Sequence, residues 1–599
     1  MVKKRKSLGL GFNDELSNIT ARVSHFKNQK DMDWKDALLP NYEPFIEGPK
    51  SAWRVAFLFC LSAIVFFALS LRLFHLQIAR GEENKNLAEG NRIQIKKIHA
   101  PRGVIYDRNN KILAANNPGF RLVEGEKISH ISRDDAIKME VNGDPRFDNL
   151  EIDNIRGYPY KEITSHLLGY VGEITSEELK ETKFNDYNIG DRIGRGGIEE
   201  EYEKKLRGID GGEVIEVDSS GKKVRILRTV DPIPGGSLLL TIDGDLQKLT
   251  FEKLTDEISK SGSCCGAAIV QEPATGGILA LVSIPGFNPD DISLYLLAPH
   301  SPMLNRAIAG LYPPGSVFKI ASSLAGLSSG KITAETTYED TGIINLGPFT
   351  FANWYFTQHG KTEGMVNMVK ALQRSNDIYF YRLGQTVGEE ALGQSAKKLG
   401  LSRGLNIDIP GEVPGNIPDN DWKVKNTGEV WYPGDTLHMS IGQGFVTVTP
   451  LEISNMISTI AEGKENNPHL NSQKILPPAH PPDFKKEDLA VIRQGLSEVP
   501  KSGGTAWPFF TFPITSAGKT GTAEFGDPKG KTHAWYAAYA PVDDPKISAT
   551  ALIEAGGEGS TNASPVVKEI FRWFFSPDKN DLIKDGVIEA TAAARTLGE

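Results

Sequence analysis

Between Arg54 and Arg72 the chain carries 17 uncharged, mainly apolar residues, Val55 to Leu71, and Leu73, Phe74, Leu76 and Ile78 extend the run. A helix needs about 17–25 such residues to cross a bilayer. Residues 53–78 are therefore expected to form a single retained transmembrane helix, since a fully apolar helix of this length is rarely soluble. A cleaved signal is the competing reading, with Ala68-Leu69-Ser70 as the small-residue site; the preceding region is far longer than a signal n-region. A buried globular helix is the third reading. Residues 1–52 are polar and mixed in charge and read as a tail. Lys50 and Arg54 before the span, against Arg72, Arg80 and Lys85 after it, leave the positive-inside rule undecided. Only the Lys3-Lys4-Arg5-Lys6 cluster tips the N-terminus towards the cytoplasm, with the remainder of the chain extracytoplasmic.

Past the span the pattern becomes one of short alternating segments and turns. Residues 79–234 read as a β-rich domain. Within it, Gly103 to Leu113 predicts two strands joined by an Asp/Asn turn, Ile198–Leu206 a short amphipathic helix, and Val214–Val217 and Lys223–Leu227 two strands. Gly194-Arg195-Gly196-Gly197 lacks the third glycine and the strand context of a dinucleotide loop. A second domain is expected over 235–575, and a polar tail over 576–599. Its elements are a strand Ser237–Asp243, a helix Asp245–Ile258, a hairpin of Ala267–Glu272 with Ile278–Val282, a helix-rich section Val366–Leu399, strands Ala534–Ala540 and Ile547–Ile553, and a helix Ser564–Phe575. The mixture predicts an α+β fold: an antiparallel sheet with helices on its faces.

Composition narrows the class. With 599 residues, 39% hydrophobic and 24% charged, the chain is an ordinary multidomain protein. A net charge of −9 gives no nucleic-acid signature. Of three cysteines, Cys60 lies in the apolar run and Cys264 and Cys265 are adjacent, a poor geometry for pairing, so no disulfide framework is expected.

The candidate chemistry centres on Pro313-Pro314-Gly315-Ser316-Val317-Phe318-Lys319. The prolines and glycine make a stiff turn. The small and apolar run that follows predicts a helix with Ser316 at its N-terminus and Lys319 one turn on, on the same face. A serine hydroxyl needs a base beside it, and a lysine serves only where burial or neighbouring cations lower its pKa. Ser-x-x-Lys alone is weak; it recurs at Ser24/Lys27, Ser219/Lys222, Ser220/Lys223, Ser328/Lys331, Ser395/Lys398 and Ser576/Lys579. Two downstream partners strengthen it. Ser375-Asn376-Asp377 would let Ser375 hydrogen-bond Lys319 and relay a proton, with Asp377 fixing the hydrogen bonds. Lys519-Thr520-Gly521-Thr522 would offer a cation, two hydroxyls for a carboxylate and, at Gly521, a close backbone approach. Strict strand alternation puts Lys519 and Gly521 on one face and Thr520 and Thr522 on the other, so twist or a bulge is expected to relax it. The amides of Ser316 and Thr522 would form an oxyanion hole. The motifs stand in order, about 60 and then about 145 residues apart.

With these motifs the chain resembles the class B penicillin-binding proteins, over about residues 53–575. Tyr312-Pro313-Pro314-Gly315-Ser316 and Ser375-Asn376-Asp377-Ile378-Tyr379-Phe380-Tyr381 look like the elongation type, the penicillin-binding protein 2 family. So do Arg102–Arg108, His166–Gly172, Gly196–Glu199, Gly442-Gln443-Gly444 and Trp535–Pro541. The resemblance implies a membrane-anchored pedestal followed by a serine β-lactamase-like transpeptidase domain. It implies that Ser316 is acylated by D-Ala-D-Ala stem peptides during peptidoglycan cross-linking and by penicillins as mimics, with Lys319 as base and no cofactor. Glycan polymerisation would fall to a partner in an elongation complex, by analogy a SEDS-family glycosyltransferase. The stretch Val123–Tyr158 is far shorter than the family's usual head subdomain. Some relatives carry zinc on Asp, His and Cys; here Asp340 and His359 have no nearby cysteine, so no metal is expected. The rivals are a β-lactam sensor or acyl-serine hydrolase of the same fold, for which no motif assigns a deacylating water, and a non-catalytic wall scaffold, which the intact Ser316, Lys319, Ser375 and Lys519 oppose.

Overall fold

The apolar run folds as α1, Ala52–Phe74, continued by a π-helical turn His75–Ala79. The structure, a computed structural model, describes residues 52–124, 127–218, 223–474 and 484–577. The Lys3–Lys6 cluster and nearly all of both tails lie outside these. Trp53–Ala79 is 27 residues long with mean hydropathy 2.3, and none of its most apolar window is buried in protein. At 1.5 Å per residue it is about 40 Å long, enough for the roughly 30 Å hydrocarbon core. Its aromatic and aliphatic side chains are exposed, Phe59 and Phe66 by 75% and 73%, so it is not the buried globular helix considered above.

Among the described residues, 52–94 with those of 216–224 form one unit by contact; those of 95–215 with 225–577 form the other, which holds every candidate site residue. In that second unit, β1 (Ile105–Tyr106), β2 (Ile112–Glu124), β3 (Lys127–Ser132) and β4 (Leu150–Gly157) build an antiparallel sheet, with β2 paired to each of the others. The Asp/Asn turn between β1 and β2 forms as expected. Asp107 accepts from the amides of Asn109 (2.8 Å) and Lys111 (2.7 Å), and its other oxygen takes the Gly244 amide (3.0 Å).

A hairpin of β5 (Tyr170–Glu173) and β6 (Arg192–Arg195) leads through Gly196 into α2 (Gly197–Glu201). The glycine run is a backbone crossing. Gly197 sits at φ +53°, and a Cβ there would come 2.5 Å from the Leu167 carbonyl oxygen. The helix expected over Ile198–Leu206 breaks at Tyr202 and resumes as Glu203–Leu206. Glu199, fully buried, joins the distant segments that flank it, accepting from Arg102 Nε (2.5 Å) and Arg156 Nε (2.6 Å).

The strand expected over Ser237–Asp243 shortens to β7, Leu238–Leu239, because its parallel partner β1 is itself only two residues long. Asp243 then caps α3 (Gly244–Lys260) by accepting from Asp245 and Leu246 amides. Cys264 and Cys265 form a disulfide just before β8 (Gly266–Gln271), correcting the expectation that they would not pair. That expectation rested on the usual Cα separation of about 4.4–6.8 Å, whereas here the bond closes across one peptide at 3.7 Å.

β8, β9 (Ile278–Ile284), α4 (Lys319–Ser328), α5 (Met368–Arg374), α6 (Asp377–Val387), α7 (Pro450–Glu462), β10 (Ala517–Glu524), β11 (Thr532–Ala540), β12 (Ile547–Ile553) and α8 (Ser564–Phe575) complete the domain's frame. The sheet runs β9-β8-β12-β11-β10, antiparallel throughout. Its strands are buried on both faces, save for exposed Thr522 and Glu524 in β10, and the period of two divides them. Trp535, Ala537 and Tyr539 pack with α4, α6 and α7, while Tyr536, Ala538 and Ala540 pack with α3 and α8. β10 is an edge strand, so one row of its backbone groups is open to a partner chain.

Candidate active site

Pro313-Pro314-Gly315 ends in a glycine at φ +54°, whose amide donates to the Gly442 carbonyl (2.9 Å). Gly315–Phe318 is one turn of 3₁₀ helix, and α4 begins at Lys319. The expected serine at a helix start, with the lysine one turn on, is what forms. Gly315, Val317, Phe318 and Lys319 are buried, whereas Ser316 between them is half-exposed. The turn is held from two sides. Trp535 Nε1 donates to the Pro313 carbonyl (3.1 Å). Gly442, itself at φ +72°, lies so close that a Cβ would run into Gly315 O and Phe318.

β10 passes along the same turn. A Cβ on Gly521 would lie 2.8 Å from Val317 Cγ2 and 3.0 Å from the Pro314 carbonyl, and one on Gly315 would lie 2.8 Å from Thr522 O. The two glycines are what let strand and nucleophile turn touch backbone to backbone.

Ser375-Asn376-Asp377 is the junction of two helices. Ser375 ends α5 in the left-handed region (φ +56°), and Asn376 caps α6 by accepting from the Tyr379 amide (3.0 Å). The cap turns both flanking side chains onto Lys319. Its Nζ donates to Ser375 O (2.8 Å), Ser375 Oγ (3.2 Å) and Asp377 Oδ1 (2.6 Å). Asp377 Oδ2 accepts the Trp354 amide (3.0 Å). Lys319 is fully buried, and burial lowers its pKa from the ordinary value against the opposing pull of Asp377. Lys519 is also fully buried; burial first, then the charge of Lys319, lower it well below the usual lysine range. Its Nζ donates to Thr520 O (3.0 Å). The Lys319 ammonium repels that of Lys519 and so favours deprotonation of Lys519.

Of the twist or bulge expected to relax the Lys-Thr-Gly strand, no bulge forms: β10 pairs with β11 in unbroken register from Ala517 to Glu524. Alternation therefore holds. Lys519 and Gly521 face the nucleophile turn, and Thr520 and Thr522 share the other face. Thr520 Oγ1 bonds Thr505 Oγ1 (2.7 Å), and Thr522 is exposed. Thr505 carries no motif that would have revealed it.

Sequence reading also missed what holds the second motif. Buried Asp340 accepts from Gly342 N (2.9 Å), Asn353 Nδ2 (3.0 Å), Glu363 N (3.0 Å) and Asn376 Nδ2 (2.9 Å). Asn353 Oδ1 accepts the Asp377 amide (3.2 Å), and Glu363 pairs with Arg374. Asp340 is thus taken up by amides of the Ser375–Asp377 scaffold. His359 packs instead on Tyr355, ring centroids 5.0 Å apart.

Two family models match the chain: the penicillin binding protein transpeptidase domain over residues 266–572, and the penicillin-binding protein dimerisation domain over 125–240. A peptidoglycan D,D-transpeptidase MrdA of Haemophilus influenzae is 30% identical, covering 90% of this chain and 94% of its own. Among solved structures, the complex between PBP2 and MreC from Helicobacter pylori superposes with TM-score 0.70 at 27% identity, covering 83% of this chain and all of that one. A chain from a peptidoglycan synthase complex, described as coordinating polymerization and crosslinking, superposes with TM-score 0.69 at 29% identity, covering 87% and 98%.

Proposed function

Since this chain belongs to the penicillin-binding protein 2 family of peptidoglycan D,D-transpeptidases, we propose that Ser316 is its acylated nucleophile and that Lys319, Ser375, Asp377 and Lys519 carry the proton transfers and charge. Its enzymatic activity is transpeptidation in cell-wall elongation. One observation carries the assignment of residues: a fully buried Lys319 amine, one turn from half-exposed Ser316, bonded to both Ser375 Oγ and Asp377.

In the neutral form favoured by burial, Lys319 takes the Ser316 proton as Oγ attacks the carbonyl of the penultimate D-Ala. The amides of Ser316 and Thr522 stabilise the oxyanion, supported by the close approach of Gly315 to Thr522 O. Ser375 Oγ relays the proton from Lys319 to the departing amine, and free D-Ala leaves. An amine of a second stem peptide then attacks the acyl-serine, gives its proton back along the same path, and restores Ser316. The donor peptide lies along the open edge of β10 as an added strand. Thr520 and Thr522 bind its terminal carboxylate on their face of the edge strand, and Lys519 supplies positive charge from the opposite face. Penicillins acylate Ser316 by the same attack.

We also propose a division at 1–52, 53–78, 79–234, 235–575 and 576–599, with the N-terminus cytoplasmic and the catalytic domain outside. Polymerisation is assigned to a SEDS-family glycosyltransferase partner, supported by likeness to the synthase complex. The test is release of D-Ala from a pentapeptide-bearing glycan polymer with an added acceptor amine. Wild type should release D-Ala and form cross-links, and Ser316→Ala neither. Cross-linking by Ser316→Ala would reject the assignment.

A further inference from the structure

Arg156 is 5% exposed, and its Nε is bonded to Glu199 (2.6 Å). Its Nη1 and Nη2 are buried with no hydrogen-bond partner among the described residues, as are Arg192 Nε and His99 Nε2. Burying a charged donor without an acceptor is costly. All three side chains line one cavity of about 70 Å³ in the pedestal, together with Asn116, Asn154 and Arg102. A single water needs about 10–15 Å³ of such space, so there is room for a group of several heavy atoms.

Three carboxylates line this space: Asp153, which accepts the Asn154 amide (2.8 Å), Asp191 and Asp210. Lys97 Nζ sits between Asp191 (2.6 Å) and Asp210 (2.8 Å), and Arg207 also reaches Asp191 (3.2 Å). A cation is therefore already present where His99, Asp191 and Asp210 converge, and the demand left over is for an acceptor. Three guanidinium nitrogens from two arginines suit an oxyanion that presents three oxygens, as a phosphoryl group does. The donors are side chains, and Arg156 is braced by Glu199.

We propose that this cavity binds a phosphoryl oxyanion, held by Arg156 Nη1 and Nη2 and Arg192 Nε. The phosphoryl group is that of free orthophosphate or of a lipid phosphate monoester. The site is separate from Ser316 and independent of how the transpeptidase residues are assigned.

The test uses the full chain in detergent, read by thermal denaturation and by equilibrium dialysis against inorganic phosphate. Phosphate should raise Tm saturably, and chloride at equal ionic strength should not. Arg192→Gln should weaken phosphate binding at least tenfold while penicillin acylation stays within twofold of wild type. Arg156→Gln should do the same to binding; if loss of its Glu199 contact unfolds it, Arg192→Gln carries the test alone. Competition of dihexanoyl phosphatidic acid with phosphate assigns the lipid source, and its failure to compete assigns the free ion. A phosphate response no larger than that of chloride, or one unchanged in Arg192→Gln, overturns the proposal.

Discussion

Asp377→Asn isolates the electrostatics of the proposed base. The Lys319–Asp377 pair is 2.6 Å long and fully buried at the lysine end. At an effective dielectric of about 20, unit charges at that spacing attract by about 6 kcal/mol. Removing one partner of a buried pair typically costs about 3–5 kcal/mol, because the other charge is left uncompensated. The asparagine keeps the shape, and its Oδ1 can still accept the Trp354 amide. Its Nδ2 then faces the Lys319 amine, so the ammonium loses the one charge that raises its pKa. Lys319 answers by shedding its proton at lower pH than in wild type. The expected result is a Tm lower by about 6–20 °C, at about 2–4 °C per kcal/mol. The acid limb of penicillin acylation should also move to lower pH. The assay is the rate of labelling by fluorescent penicillin from pH 5.5 to 10, normalised to each variant's plateau. A limb that stays put or moves to higher pH would refute Lys319 as the base that Asp377 controls.

Lys519→Met should trade activity for stability. Both Lys319 and Lys519 have folded pKa values below their unfolded ones. The unfolded chain therefore binds more protons in the window between, and wild-type stability rises with pH there. Removing the buried Lys519 cation should stabilise the protein at pH 7 by about 1–4 kcal/mol, flatten that alkaline rise, and cut acylation at least a hundredfold. Asp340→Ala strips four N–H groups of their acceptor. It should lower stability by about 3 kcal/mol or more and slow acylation through a displaced Ser375, both measured on the same preparation. Gly442→Ala puts a methyl into Gly315 O and Phe318 from a left-handed position. Acylation should fall at least tenfold while far-ultraviolet circular dichroism stays unchanged; normal acylation would mean the nucleophile turn is not braced there.

What the sequence made legible was local or periodic. Ser316 and Lys319 are three residues apart, so a turn of helix fixes their relation whatever the tertiary fold. Strand Ile547–Ile553 and helix Ser564–Phe575 form over the expected residues because their apolar patterns fit one period each. The Asp340 network was hidden because its members lie up to 36 residues apart and are ordinary loop residues until Asn353 and Asn376 converge on one carboxylate. The faces of β10 could be counted but not assigned, since only the contacts of Gly521 with Val317 say which face meets the nucleophile. Tyr202 broke a helix that amphipathicity alone would have run on, its hydroxyl tied to Asp408 (2.9 Å), 206 residues away.

Mass spectrometry of penicillin-treated protein puts the spatial convergence of the three motifs to its plainest test. Digestion should yield one stoichiometric adduct, on the peptide that contains Ser316, and none in Ser316→Ala. An adduct on any other serine, or undiminished labelling of Ser316→Ala, would contradict the account.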